Sequence, residues 1–77
     1  MLMTENIVRI NHVKALCKRR GWDRATSLRE LVYHGNVTMP TALKAYDGAV
    51  DLGIDTIEKI ALMFGVTKEQ VLESRSK

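Results

Sequence analysis

The sequence predicts an all-α fold, a single domain of five short helices. Two observations support this. Apolar residues recur at helical spacing in successive segments separated by glycine, and no segment alternates with a period of two for long enough to build a sheet. The chain has 77 residues, of which 45% are hydrophobic, so it is large enough for one core and too small for two.

Residues 1–10 are expected to form an N-terminal tail or a short extended segment. Met1 to Asn6 shows no apolar periodicity. The β-branched residues of Ile7 to Ile10 fit either an extended segment or the start of the first helix, and both alternatives stay open.

The first helix is expected over residues 12–20, with Asn11 as a plausible cap. Gly21 would end it in a left-handed conformation, which places Trp22 where it can fold back over Cys17. The apolar face of this helix consists of Val13, Leu16 and Cys17.

The second helix is expected to run to His34 and to begin after Asp23, although Ser27 is an alternative cap. Gly35 and Asn36 then form a tight corner, since both tolerate a left-handed backbone. Thr38 caps the third helix, and Pro40 suits its first turn. The residues expected to face inward across this helix-turn-helix are Leu31, Val32, Val37, Ala42 and Ala45.

Two further helices complete the domain, which we expect to span residues 11–74. Residues 47–53 contain two glycines and predict a loop, followed by a helix over 54–64 whose apolar stripe is Ile57, Ile60, Ala61 and Phe64. Thr67 and Gln70 form a capping box for a last helix from Lys68 to about Ser74. Residues 75–77 are expected to be a frayed tail.

The positive charge is concentrated in the first half of the chain. Residues 1–44 hold eight Lys/Arg against three Asp/Glu, giving +5, and residues 45–77 hold four against six, giving −2. A basic half that carries a helix-turn-helix favours a polyanionic partner, although basic helix faces are also common as plain solvated surface.

Catalytic, metal-binding and membrane functions have no support in the sequence. No nucleophile with a base, carboxylate pair or phosphate loop is evident, so we expect a non-enzyme without cofactor. His12, His34 and the single Cys17 do not make a zinc-site pattern. The lone cysteine and the absence of a long apolar run predict a cytoplasmic protein.

Several short motifs occur in a characteristic order between residues 11 and 73. They are Arg-Gly-Trp at 20–22, Glu-Leu at 30–31, Val-Thr-Met-Pro-Thr at 37–41, Asp-Gly at 47–48, Ile-Asp-Thr-Ile-Glu-Lys-Ile-Ala at 54–61, Phe-Gly-Val-Thr at 64–67 and Val-Leu-Glu at 71–73. Their order and spacing resemble the phage-repressor, or Xre, family of helix-turn-helix DNA-binding proteins. In this chain Val32 is large and Ala42 small where the family usually has the reverse, a swap that roughly conserves volume.

The resemblance implies a compact five-helix domain of the phage-repressor type, whose third helix lies in the DNA major groove. The base-reading residues would be Thr38, Met39, Pro40, Thr41, Leu43 and Lys44. Phosphate contacts would come from Arg24, Ser27, Arg29 and Lys44, with Tyr46 as a weaker candidate. This base-reading set lacks Arg, Asn and Gln, so we expect modest specificity or reliance on DNA shape.

The leading expectation is a homodimeric, nucleoid-associated transcriptional regulator that binds double-stranded DNA sequence-specifically, as a repressor in the first place, with an activator left open. The alternative is a protein-interaction or antitoxin module of the same shape, which would use the apolar side chains of the third helix, such as Met39 and Leu43, to hold a partner protein.

Overall fold

The computed structural model describes residues 7–76, which form five helices and a two-stranded antiparallel sheet. The prediction of an all-α fold is therefore wrong. The predicted tail over Met1 to Asn6 lies outside the described residues. In chain order the elements are β1 (Ile7–Asn11), α1 (Val13–Arg19), α2 (Arg24–Tyr33), α3 (Met39–Tyr46), α4 (Ile54–Phe64), α5 (Lys68–Val71) and β2 (Leu72–Ser76).

The sheet pairs the two ends of the described chain. Ile7 lies opposite Ser76, and Asn11 lies opposite Leu72. The open question over Ile7 to Ile10 is thus resolved as a strand. The fifth helix, expected to reach about Ser74, ends at Val71 because the following residues turn into β2. The sequence of β2, LESRS, contains no β-branched or aromatic residue, so its extended conformation depends on pairing with β1 and not on its own propensity.

Helix α1 ends before a glycine with a left-handed backbone, as the sequence predicts. Gly21 has φ of +75°, its N–H donates to the carbonyl of Lys18 (2.9 Å), and the N–H of Trp22 donates to that of Cys17 (3.2 Å). These two bonds satisfy the last carbonyls of the helix. The Trp22 ring then packs against Phe64, with 5.8 Å between centroids, which joins α1 to α4.

The start of α2 is at Asp23, as preferred from the sequence. Its carboxylate accepts a hydrogen bond from the backbone N–H of Thr26 at 2.8 Å. This bond and a further one from the Thr26 side chain hold the pKa of Asp23 below its usual value.

The corner between α2 and α3 uses its two residues in different ways. Asn36 takes the left-handed backbone, with φ of +60°. Gly35 is needed for space, because a Cβ at this position would lie 2.5 Å from the carbonyl oxygen of Leu31. Thr38 then caps α3 by accepting from the N–H of Thr41 (3.4 Å).

The core lies beneath these helices and contains the inward positions expected from the pattern. Leu31, Ala42 and Ala45 are fully buried, and Val37 nearly so, whereas Val32 is half-buried against them. The small side chains of Ala42 and Ala45 let α3 pack closely against the rest of the core. The α4 stripe of Ile57, Ile60, Ala61 and Phe64 is buried as predicted.

The two glycines at positions 35 and 53 offer a paired test of the corner. We expect Gly35→Ala to lower the free energy of unfolding by about 1–3 kcal/mol, because its methyl group meets the Leu31 carbonyl. Gly53→Ala meets no atom within 4 Å at a negative φ, and should change stability by less than about 1 kcal/mol. Urea denaturation of both variants measures this. Equal stabilities would show that the corner does not depend on the missing side chain.

Candidate nucleic-acid interface

One side of α3 is buried and the other faces solvent. Ala42, Ala45 and Tyr46 form the buried side. The six predicted base-reading residues all retain accessible surface: Thr38, Met39, Pro40 and Lys44 are exposed, and Thr41 and Leu43 are half-buried. The N-terminal tip of α3 is therefore uncovered, with the Met39 side chain 45% exposed.

Two hydrogen bonds link Thr38 and Thr41 at the tip. The Thr38 hydroxyl donates to the Thr41 hydroxyl at 3.0 Å while accepting from the Thr41 backbone N–H. Each hydroxyl can both donate and accept, so Thr41 can also form a hydrogen bond with an external group. Pro40 adds rigidity in the first turn, since its φ is fixed.

Two of the cations predicted to contact DNA, Arg24 and Lys44, have carboxylate partners. Two hydrogen bonds join Arg24 to Asp47, one from Nη1 to Oδ1 (2.6 Å) and one from Nη2 to Oδ2 (3.5 Å). Lys44 Nζ lies 3.6 Å from Asp51 Oδ2. The hydrogen bond from Arg24 is the main cause that lowers the pKa of Asp47, and the charges of Arg24 and Lys14 add to it.

Two of the predicted phosphate-binding residues are not on the surface. Ser27 is fully buried, and its hydroxyl donates to the Asp23 carbonyl at 2.7 Å. Tyr46 is 5% exposed, so its ring serves the core. We therefore leave both out of the candidate interface. Arg29 is exposed and makes no ion pair with any residue between 7 and 76.

The fold adds Lys14 to this surface, which sequence reasoning missed. Lys14 belongs to α1, and its Nζ lies 5.5 Å from the centroid of the Tyr46 ring. The Arg24 guanidinium lies at the same distance from that centroid. Cations this close to an aromatic ring are attracted by its negative face. No local motif links α1 to the end of α3, so only the tertiary structure brings these groups together.

The Asn11 side chain fixes α3 relative to the N-terminal elements. Its Nδ2 donates to the carbonyls of Ala45 (3.0 Å) and Ala49 (2.6 Å), and its Oδ1 accepts from the Val13 N–H (2.8 Å). The sequence suggested a cap at Asn11. The structure instead places the N-cap of α1 at His12, which makes no side-chain capping hydrogen bond, and Asn11 stands one residue before it. Besides the Val13 N–H, the Asn11 side chain satisfies the carbonyl of Ala45 in the last turn of α3 and that of Ala49 in the loop that follows.

Other kinds of site receive no support from residues 7–76. The described residues contain no group of three or more His, Cys, Asp or Glu side chains able to hold a metal ion. A depression of about 650 Å³ lies between α1 and the C-terminal elements, lined by residues such as His12, Arg19 and Glu73, and it includes no residue of α3. None of the helices in the described part has the length and apolar character needed to cross a bilayer.

Comparison with protein-family models, with curated proteins and with solved structures finds no match to this chain.

Asn11 can be tested against Asn36, an asparagine that acts through its backbone conformation. We expect Asn11→Ala to lower the free energy of unfolding by about 2–3 kcal/mol, because two carbonyls and one N–H lose a partner. Asn36→Gly should change it by less than about 1 kcal/mol, since glycine also adopts a positive φ. Thermal or urea unfolding provides the measurement. If Asn11→Ala is as stable as the parent, Asn11 does not hold α3 in place.

Proposed function

We propose that this protein binds double-stranded DNA and acts as a small transcriptional repressor in the cytoplasm, by binding and not by catalysis. The observation that carries the proposal is the uncovered tip of α3 on a corner whose opposite side is buried. A short helix presented in this way fits the B-DNA major groove, where the first residues of a recognition helix contact base edges.

The charge around α3 supports the same proposal. Lys14, Arg24, Arg29 and Lys44 are exposed and come from α1, α2 and α3, with Lys14 and Arg24 beside Tyr46 near the C-terminal end of α3. Cations spread over several elements can contact phosphates on both sides of a groove. Binding should therefore weaken steeply as salt is added.

The tip itself determines how selective the contact is. Met39, Pro40 and Leu43 can touch thymine methyl groups, while Thr41 and Lys44 can donate hydrogen bonds. No side chain in this set makes the two-bond contacts that Arg, Asn and Gln make with bases. We infer modest specificity from direct contacts, with DNA shape supplying part of it.

A homodimer fits this proposal because one short helix buries too little surface for tight binding. Several exposed apolar side chains lie outside the corner, among them residues of β1 and α4. Ile7 and Val8 of β1 are 55% and 37% exposed, and Leu62 of α4 is 84% exposed. Sedimentation of the protein with and without duplex DNA would report the oligomeric state.

A second candidate function is a protein-interaction or antitoxin module. Two observations favour it: three of the six candidate base-reading residues are apolar, and both Arg24 and Lys44 already have carboxylate partners. Such a surface could hold an apolar partner without breaking either ion pair.

Lys44 and Lys68 form a matched pair for testing DNA binding. Both are about half exposed, and each Nζ lies 3.6 Å from a carboxylate oxygen, of Asp51 and Glu58 respectively. Lys68 belongs to α5, outside the corner. We expect Lys44→Ala to weaken binding to duplex DNA about threefold to tenfold and to reduce the salt slope by up to about 0.9, because one phosphate contact is lost. Lys68→Ala should have less than about a twofold effect. Fluorescence anisotropy with labelled duplexes over a salt series measures both.

Equal effects of the two substitutions would mean that only net charge matters, which would contradict a specific role for α3. If neither Lys44→Ala nor Arg24→Ala changes the affinity for duplex DNA, the protein-interaction module is favoured. For a protein that binds duplex DNA through α3, selection of bound genomic fragments would show whether it has a preferred site and whether that site is palindromic.

A further inference from the structure

We propose that Asp47 and Asp51 compete with DNA phosphates for the cations of this surface. They hold Arg24 and Lys44 in the free protein and release them to the duplex on binding. The inference rests on the proposed function and identifies residues that set its affinity.

The positions of the two carboxylates suit this role. Asp47 is the C-cap residue of α3 and Asp51 lies in the loop that follows, so both sit at the C-terminal end of the helix, next to Arg24 and Lys44. Their side chains are 53% and 77% exposed, and those of their partners, Arg24 and Lys44, are 52% and 55% exposed. Exposed ion pairs contribute little stability, so they can be exchanged at small cost.

The two carboxylates cancel most of the local positive charge, so they should have a large effect on affinity for DNA. Lys14, Arg24 and Lys44 supply three positive charges next to two carboxylates, so this part of the surface has a net charge of only +1. Replacing both aspartates by asparagine raises it to +3 while keeping the side-chain shape. The carboxylates would also repel phosphates brought close to α3.

Exchange of partners predicts a specific salt dependence. When Arg24 moves from Asp47 to a phosphate, the freed carboxylate takes up a cation from solution, which cancels part of the counterion release. Removing the carboxylate removes this cancellation. Binding by the asparagine variant should therefore be both tighter and more sensitive to salt.

The experiment compares Asp47→Asn/Asp51→Asn with a control of equal charge change, Asp55→Asn/Glu58→Asn. The control carboxylates pair with Lys59 at 3.3 Å and Lys68 at 3.6 Å, on α4 and α5. Affinity for a random-sequence duplex is measured by anisotropy over a salt series. We expect the first variant to bind about threefold to tenfold tighter than the parent at low salt, with a slope steeper by up to about 1.8. The control should tighten binding by less than about threefold.

A double-mutant cycle separates competition from a structural role. If Asp47 restrains Arg24, then Arg24→Ala costs more affinity in the Asp47→Asn background than in the parent. If the ion pair only holds α2 against α3, Asp47→Asn lowers the midpoint of thermal unfolding. In that case Arg24→Ala costs the same affinity in the Asp47→Asn background as in the parent, or less, and the inference is overturned.

The remaining outcomes are also distinguishable. One outcome is that the parent binds duplex DNA in a salt-sensitive way while Asp47→Asn/Asp51→Asn binds no tighter than the control variant. That result overturns this inference and leaves the proposed function standing. Absence of duplex binding by the parent and by both double variants, even in dilute buffer, overturns the proposed function and this inference with it.

Discussion

The amide of Asn11 is the contact on which the arrangement of this small domain depends. Asn11 stands at the junction of β1 and α1, and its three hydrogen bonds reach the first turn of α1, the Ala45 carbonyl in the last turn of α3 and the Ala49 carbonyl in the following loop. Buried backbone carbonyls that lose their partners are costly, so the amide allows the α3 terminus to pack against the N-terminal elements. The adjacent β1–β2 pairing holds the same junction from the other side, where the His12 N–H donates to the Val71 carbonyl at 2.8 Å. The exposed tip of α3 is thereby fixed relative to α1 and α2.

Features governed by neighbouring residues could be predicted from the sequence. The caps at Asp23, Thr38 and Thr67 depend on a hydroxyl or carboxylate within three residues of an unpaired N–H, so their patterns are legible in the chain. The strand β2 could not be found in this way. Its residues have no preference for an extended conformation, and its partner lies at the opposite end of the described chain. The stop after Val71 follows from that distant pairing and from no local signal.

The residues of the candidate surface also divide into those that a local sequence pattern could place and those that only the fold could place. Met39, Pro40 and Lys44 could be placed on its outer side because helical periodicity separates them from Ala42 and Ala45. Ser27 and Tyr46 were misplaced, since a polar side chain near a helix start looks available until the buried hydrogen bond of Ser27 and the packing of the Tyr46 ring are seen. Lys14 and the pairing of Asp47 with Arg24 also required the fold. The separation into a basic and an acidic half described the sequence correctly but concealed that the two halves meet at α3.

The ion pairs of this surface are where its two candidate functions differ in energy. A protein partner that covers the apolar tip can leave Arg24 with Asp47 and Lys44 with Asp51, so it gains from burying Met39 and Pro40 without disturbing either pair. A duplex cannot use the two cations unless the carboxylates give them up, and each carboxylate that remains close to phosphate is repelled. If this surface binds DNA as proposed, binding would therefore be weakened uniformly across sequences, and the apolar and hydroxyl contacts of the tip would supply the difference between one site and another. The shared penalty would lower every affinity but cancel from their ratio, so selectivity would come from the favourable contacts of the tip at the preferred site.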